Sequence, residues 1–115
     1  MKVIVAGSRT IRDFVVVRNA ILGSGFDVTE IVSGGVPGVD QLGERWARLS
    51  NVPIRRFEPK WTKLGRPAGA FRNREMAEYA DTLVLVWDGK SRGSANMLKC
   101  MKRLNKPVHL VVIKP

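Results

Sequence analysis

The sequence predicts an α/β fold, a three-layer sandwich in which a five-stranded parallel sheet carries helices on both faces. Three observations lead there. Short apolar, β-branched runs recur at residues 3–6, 31–32, 54–57, 83–87 and 108–113, with room for a helix between each pair. Several of the intervening stretches place apolar residues at helical intervals. Strands that alternate with helices must pair in parallel, and right-handed crossovers then cover both faces of the sheet. At 115 residues the chain makes one domain, residues 1–115, and a second core has no room.

Each element has its own signal. The first strand, Val3-Ile4-Val5-Ala6, ends at Gly7, and a helix follows with Asp13 as N-cap and Gly23 as its end. After the run Ile31-Val32, residues Val39, Leu42, Trp46 and Leu49 step by 3, 4 and 3 and form one helical stripe. Ile54 to Phe57 is the third strand. Pro67 opens the third helix, on which Arg72, Met76 and Ala80 share one face at intervals of four. Leu83 to Trp87 is the fourth strand, Met97, Met101 and Leu104 mark the fourth helix, and Asn105-Lys106-Pro107 stops it before the last strand, Val108 to Ile113. Cys100 and His109 read as core residues, and packing accounts for Trp87.

Charge and composition narrow the function. Hydrophobic residues make up 44% and charged residues 26%, which suits a folded globular domain rather than a disordered chain. The net charge is +10, and after Asp88 there are seven basic residues and no acidic one. Such a field attracts nucleotides, nucleic acid and other polyanions, and equally serves as a solvated surface. No apolar run approaches the roughly 18 residues that span a bilayer. The apolar N-terminal stretch is too short for a signal peptide, so no membrane partner and a cytoplasmic location are expected. One cysteine and one histidine exclude a zinc constellation and any triad built on Cys-His or Ser-His-Asp. No metal is expected.

In a small Rossmann-like sandwich, ligands bind outside the carboxyl ends of the strands, where the strand order reverses. Three loops there share a chemistry. Gly7-Ser8-Arg9 follows the first strand with a turn lacking Cβ, a hydroxyl and a guanidinium fork that suits a phosphate or carboxylate. Ser33-Gly34-Gly35-Val36-Pro37-Gly38-Val39-Asp40 sets glycines before a helix N-terminus, where amides and the helix dipole favour an anion. Asp40 either caps that helix or accepts a ribose hydroxyl. The spacing Gly-Gly-x-x-Gly misses the dinucleotide fingerprint, so no cofactor of that kind is expected. The third loop, Asp88-Gly89-Lys90-Ser91-Arg92-Gly93-Ser94, ends like a Walker A motif, but Val84 stands where the motif needs its first glycine, so no ATPase follows. Its cations and hydroxyls still precede a helix N-terminus, and Ser94 is placed to face the cleft.

Two further features join them. Trp61, in a polar loop beside cations, has the chemistry to stack on a base and equally to serve as a lid that only covers the sheet edge. If Met76 and Ala80 touch the sheet, Arg72 reaches toward the sheet's upper rim, so Arg72 and Asn73 are preferred to Arg74 as ligand contacts. The expected site thus brings Arg9, Gly35 and Lys90 around one pocket.

As a set, Gly7-Ser8-Arg9, the 33–40 loop with Leu42-Gly43-Glu44-Arg45-Trp46-Ala47, Arg72-Asn73-Arg74-Glu75-Met76-Ala77 and Trp87-Asp88-Gly89-Lys90-Ser91-Arg92-Gly93 resemble the YspA-type, YpsA-related branch of the SLOG superfamily. The resemblance runs nearly end to end and implies a Rossmann-like domain that binds nucleotides or nucleotide-derived small molecules at these strand ends. More distant relatives, the Lonely-guy phosphoribohydrolases, cleave the N-glycosidic bond of nucleoside monophosphates with an arginine and the glutamate of Pro-Gly-Gly-x-Gly-Thr-x-x-Glu. Here Met97 stands where that glutamate belongs, leaving Asp40, Glu44 and Asp88 as weak substitutes, with Glu44 equally readable as an exposed helix residue. A ligand-binding domain is therefore expected first and an N-glycosidic-bond hydrolase second. A nucleic-acid-binding domain using Arg55, Arg56, Lys60, Lys63 and the basic C-terminal helix comes third. The pattern is compatible with a homo-oligomer.

Overall fold

In the computed structural model, which describes residues 1–59, 65 and 67–114, the elements follow the expected alternation. They are β1 (Lys2–Gly7), α1 (Phe14–Gly23), β2 (Glu30–Ser33), α2 (Val39–Leu49), β3 (Ile54–Arg56), α3 (Ala68–Tyr79), β4 (Thr82–Trp87), α4 (Arg92–Arg103) and β5 (Val108–Val112). The sheet runs β3-β2-β1-β4-β5 with every neighbour parallel. The chain leaves β1 in one direction for β2 and β3, then returns to β1's other side with β4. That reversal separates the loops after β1 and β4 and opens a crevice at their carboxyl ends.

Two apolar layers hold the helices. Val17, Ala20 and Ile21 of α1 with Val39 and Ala47 of α2 pack on Val3, Val5, Ile31, Val84 and Val86. On the opposite face, Met76, Ala77 and Ala80 with Met97, Cys100 and Met101 pack on Ile4, Val32, Leu83 and Leu85. β1 and β4 are apolar on both faces because both faces are covered. Each such Val, Leu, Ile or Met side chain contributes about 1.5–3 kcal/mol through burial.

Local signals placed most boundaries. Asp13 caps α1, its carboxylate accepting the Val15 N–H at 3.0 Å. Pro67 immediately precedes α3, and Asn105 turns the chain out of α4 at a left-handed φ of 56°. The α2 stripe differs from its expected course: Leu49 is 67% exposed, and the buried face instead runs through Val39, Gly43 and Ala47. Gly43 explains the rotation. A Cβ there would lie 2.6 Å from Val5 Cγ1, so the missing side chain brings the helix backbone close to β1. Leu104 is likewise exposed, just past the end of α4. Cys100 is buried, whereas His109 is only half-buried because β5 is an edge strand. Trp87 does more than pack, since its indole N–H donates to Ser91 O at 3.0 Å and anchors the start of α4. Among the described residues no helix is long and apolar enough to cross a membrane.

Candidate functional site

At the carboxyl end of β1 lies a cavity of about 270 Å³, bordered by Ala6, Gly7 and Arg9, by Val36 and Asp40, by Arg72, Asn73 and Met76, and by Ser91, Gly93, Ser94 and Met97. A wider bowl of about 610 Å³ shares Arg9, Val36, Arg72, Asn73 and Gly93 with it and adds Gly34, Gly35, Pro37, Glu58, Pro59, Gly69, Ala70, Arg92 and Asn96. Loops from four strands and the starts of three helices therefore meet in one cleft.

Arg72 spans it. Half-buried on α3, it donates from Nη1 to Gly34 O at 3.0 Å and from Nε to Asn73 Oδ1 at 3.1 Å. Burial pushes its pKa below the ordinary guanidinium value, and Arg9 adds to that push while Asp40 pulls it back. Asn73, 6% exposed, passes the connection on by donating to Gly93 O at 3.3 Å and Asn96 Oδ1 at 2.9 Å. It thereby ties α3 to the first turn of α4. That turn is uncapped: Ser91 makes no side-chain cap bond, and Ser94 Oγ bonds only Ser91 Oγ, at 3.3 Å. The α4 N-terminus thus contributes a positive end and free amides beside two arginines.

Among the described residues, Asp40 is the one carboxylate on the inner cavity. It is not the cap of α2, because Gly38 holds that position at a φ of 91°, and Asp40 sits inside the first turn, 4% exposed. Burial raises its pKa from 3.8 to about 7, despite the opposing field of Arg72 and hydrogen bonds from the amides of Val36, Gly34 and Gly7. At neutral pH the group therefore divides between its acid and its anion.

The other two acidic residues have structural partners. Glu44, read from the sequence as equally well an exposed helix residue, is 2% exposed. Its carboxylate accepts from Ser33 Oγ at 2.6 Å and from Arg56 Nε at 3.0 Å, and a second, short bond joins it to Arg56 Nη2. Burial pushes the Glu44 pKa up, but Arg56 and Ser33 outweigh it and the net shift is downward. The polar partners explain how a helix can bury a carboxylate that its sequence spacing presents as surface. Asp88 accepts the N–H groups of Lys90 and Ser91 at 2.8 and 2.9 Å, which closes the turn and lowers its pKa.

The remaining expected contacts divide. Gly7, Arg9, Gly34, Gly35, Arg72, Asn73, Ser91, Arg92, Gly93 and Ser94 border the cleft. Ser8 and Ser33 are buried and engaged, Ser8 Oγ accepting the Asp88 N–H at 2.9 Å and Ser33 Oγ accepting the Gly35 N–H at 3.0 Å. Gly38 packs under Ser8 O and Arg9, where a Cβ would come within 2.6 Å of Arg9 Cα. Lys90 and Asp88 border a separate groove with Thr10, Arg12, Asp13 and Ile113, beside the start of α1, so Lys90 does not join Arg9 and Gly35. Gly89 forms the turn between them at a φ of 81°. Trp61, Lys60 and Lys63 lie outside the described residues. Sequence reasoning missed Val36, Met76, Met97 and Asn96 as cleft residues. Asn96 had a signal, lying one turn beyond Arg92 and Gly93, while Met76 was read only from its helical stripe and Met97 only from its stripe and as the residue standing in the place of the hydrolase glutamate. Among the described residues, no group of three or more His, Cys, Asp or Glu is placed to hold a metal ion.

The fold has a solved counterpart in DNA processing protein A (DprA) from Streptococcus pneumoniae, with a TM-score of 0.75 at 19% identity. The likeness covers 93% of this chain and 48% of that one, so this chain spans about half the length of the protein it matches. No curated protein matches the chain. The sequence itself carries the family signal over the segment that builds β1, the glycine loop after β2 and α2: residues 1–64 match the model for the YspA, cpYpsA-related SLOG family, and the chain belongs to that family.

Proposed function

We propose that the cleft binds a nucleotide or nucleotide-derived small molecule, with its anionic group held between Arg9, Arg72 and the first turn of α4. The observation that carries this reading is the convergence of two guanidinium groups and an uncapped helix N-terminus on one cavity at the end of β1. Guanidinium forks and helix-terminal amides recognise phosphate oxygens through charge-assisted hydrogen bonds. The wider bowl, lined partly by Val36, Pro37, Pro59 and Ala70, offers apolar area for a base or sugar. Its size falls within the range of small-molecule sites, about 300–1,000 Å³. Membership in the SLOG family agrees with such a ligand. Isothermal titration with nucleoside monophosphates, nucleotide sugars and cyclic nucleotides tests the reading. Saturable binding that Arg72→Gln abolishes is expected, and silence across the panel from folded protein refutes it.

A second reading, hydrolysis of a nucleotide N-glycosidic bond, is favoured by Asp40 specifically. A carboxyl group with a pKa of about 7 in the ligand cavity is suited to protonating a departing base or to activating water. Glu44 and Asp88, held by other partners, do not share that position. Free base released from a nucleoside monophosphate, detected by chromatography and lost in Asp40→Asn, distinguishes turnover from binding alone.

A further inference from the structure

We propose that anion binding in this cleft is coupled to protonation of Asp40, so that the ligand is held by the acid form of the carboxyl group. The inference rests on the binding reading above and adds to it a regulation by pH. Asp40 is almost fully enclosed, and it borders the same cavity as both arginines proposed to hold the anion. It shares with Arg72 the space beside Gly34: a β-carbon at that glycine would stand 2.8 Å from Asp40 Oδ2 and 2.9 Å from Arg72 Cζ.

The groups facing Asp40 define its balance. Arg72 comes from α3 and Arg9 from the loop after β1, and the amides of Gly7, Gly34 and Val36 come from the loops after β1 and β2. Ser94 and Met97 of α4 border the cavity without charge, as do Asn73 and Met76 of α3. Glu44 follows one turn later on α2, but Arg56 and Ser33 hold its carboxylate. Arg72 is thus the principal charge that keeps Asp40 ionised. An incoming anion neutralises that field and places like charge beside the carboxylate, and both effects favour uptake of a proton. A protonated carboxyl group also gains an O–H donor for an anionic oxygen, where the carboxylate would repel it.

The coupling has a definite sign: binding tightens as pH falls and weakens as pH rises through the neutral range. The probe must hold a constant charge across that range, which excludes orthophosphate and favours sulfate. Sulfate binding to the full chain is measured by calorimetry at pH 6, 7 and 8, in buffers of different ionisation enthalpy so that bound protons are counted. Expected are an affinity about tenfold weaker at pH 8 than at pH 6 and uptake approaching one proton per site at pH 8. In Asp40→Asn, which imitates the neutral acid, the proton uptake and the pH dependence both disappear while binding persists. The ¹³C resonance of the Asp40 carboxyl group provides a readout that needs no variant: its titration midpoint moves up when sulfate is added. Sulfate binding with no proton uptake, an unchanged slope in Asp40→Asn, or an unmoved midpoint overturns the coupling alone. No sulfate binding by either folded protein at any pH overturns the anion site and the coupling together.

Discussion

The carboxylate of Asp40 and the guanidinium of Arg72 approach the same side of Gly34, each within 3 Å of the position a β-carbon would occupy. This glycine has no left-handed backbone requirement of the kind seen at Gly35 and Gly38, so the constraint is spatial. Gly34→Ala is expected to displace the guanidinium, the flexible member of the pair, at a stability cost of about 1–2 kcal/mol. Ligand affinity should fall about tenfold through loss of an aligned charged donor. Thermal unfolding and calorimetry on the same preparation separate the two effects.

Stability should carry the Asp40 signature independently of any ligand. The unfolded chain titrates near 3.8 and the folded protein near 7, so the folded state retains a proton that the unfolded state has released between those values. Stability therefore declines as pH rises from about 4 and levels off above about 7. Asp40→Asn lacks this decline and is expected to exceed the parent in stability by up to about 4 kcal/mol at pH 8. Urea midpoints at pH 5 and pH 8 check it, since the gap must widen with pH.

Glu44 behaves oppositely. Its folded-state pKa lies below the ordinary value, so its contribution is present above the unfolded pKa and is lost as pH falls through the folded one. Glu44→Gln should cost about 1–3 kcal/mol at pH 7, because Arg56 remains partly solvated and only part of the buried network is orphaned. The deficit should shrink as pH falls below the ordinary glutamate value and through the lowered folded-state one, where Glu44 takes up its proton.

Two cations of the glycine-rich loops should differ sharply. Arg9→Gln removes a guanidinium that borders the cavity and is expected to weaken nucleotide or sulfate binding about tenfold or more. Lys90→Gln alters a groove beside α1 and should leave the affinity within about twofold at 0.15 M salt, where distant charges are screened. Equal losses from both substitutions would place the anion elsewhere.

The close approach of α2 to the sheet gives a purely structural test. Gly43→Ala introduces a β-carbon 2.6 Å from Val5 Cγ1 and 2.7 Å from Val5 Cβ. Unfolding by urea should show a loss of about 1–3 kcal/mol.

Most of the sheet was legible because β1 and β4 are buried on both sides and therefore read as unbroken apolar runs. The interval from Arg72 to Met76 also led correctly to the cleft rim, since helical spacing carries a side chain's direction with it. The burial of α2 was not legible. Its inner face includes Asp40 and Glu44; Arg56 and Ser33, on the adjoining strands, offset the cost at Glu44, whereas Arg72, distant in sequence, offsets only part of it at Asp40. Lys90 shows another limit: residue spacing locates a loop at a strand end but does not say to which side of the sheet it turns. That choice is made here by Ser8, which holds the Asp88 amide, and by Asp88, which folds the turn back on itself.

The short cord from Arg72 through Asn73 to Gly93 and Asn96 links the guanidinium to the opening turn of a neighbouring helix. The spacing between α3 and the head of α4 is thereby set by one amide side chain, so that Asn73 holds in place both the guanidinium and the helix start that border the cavity.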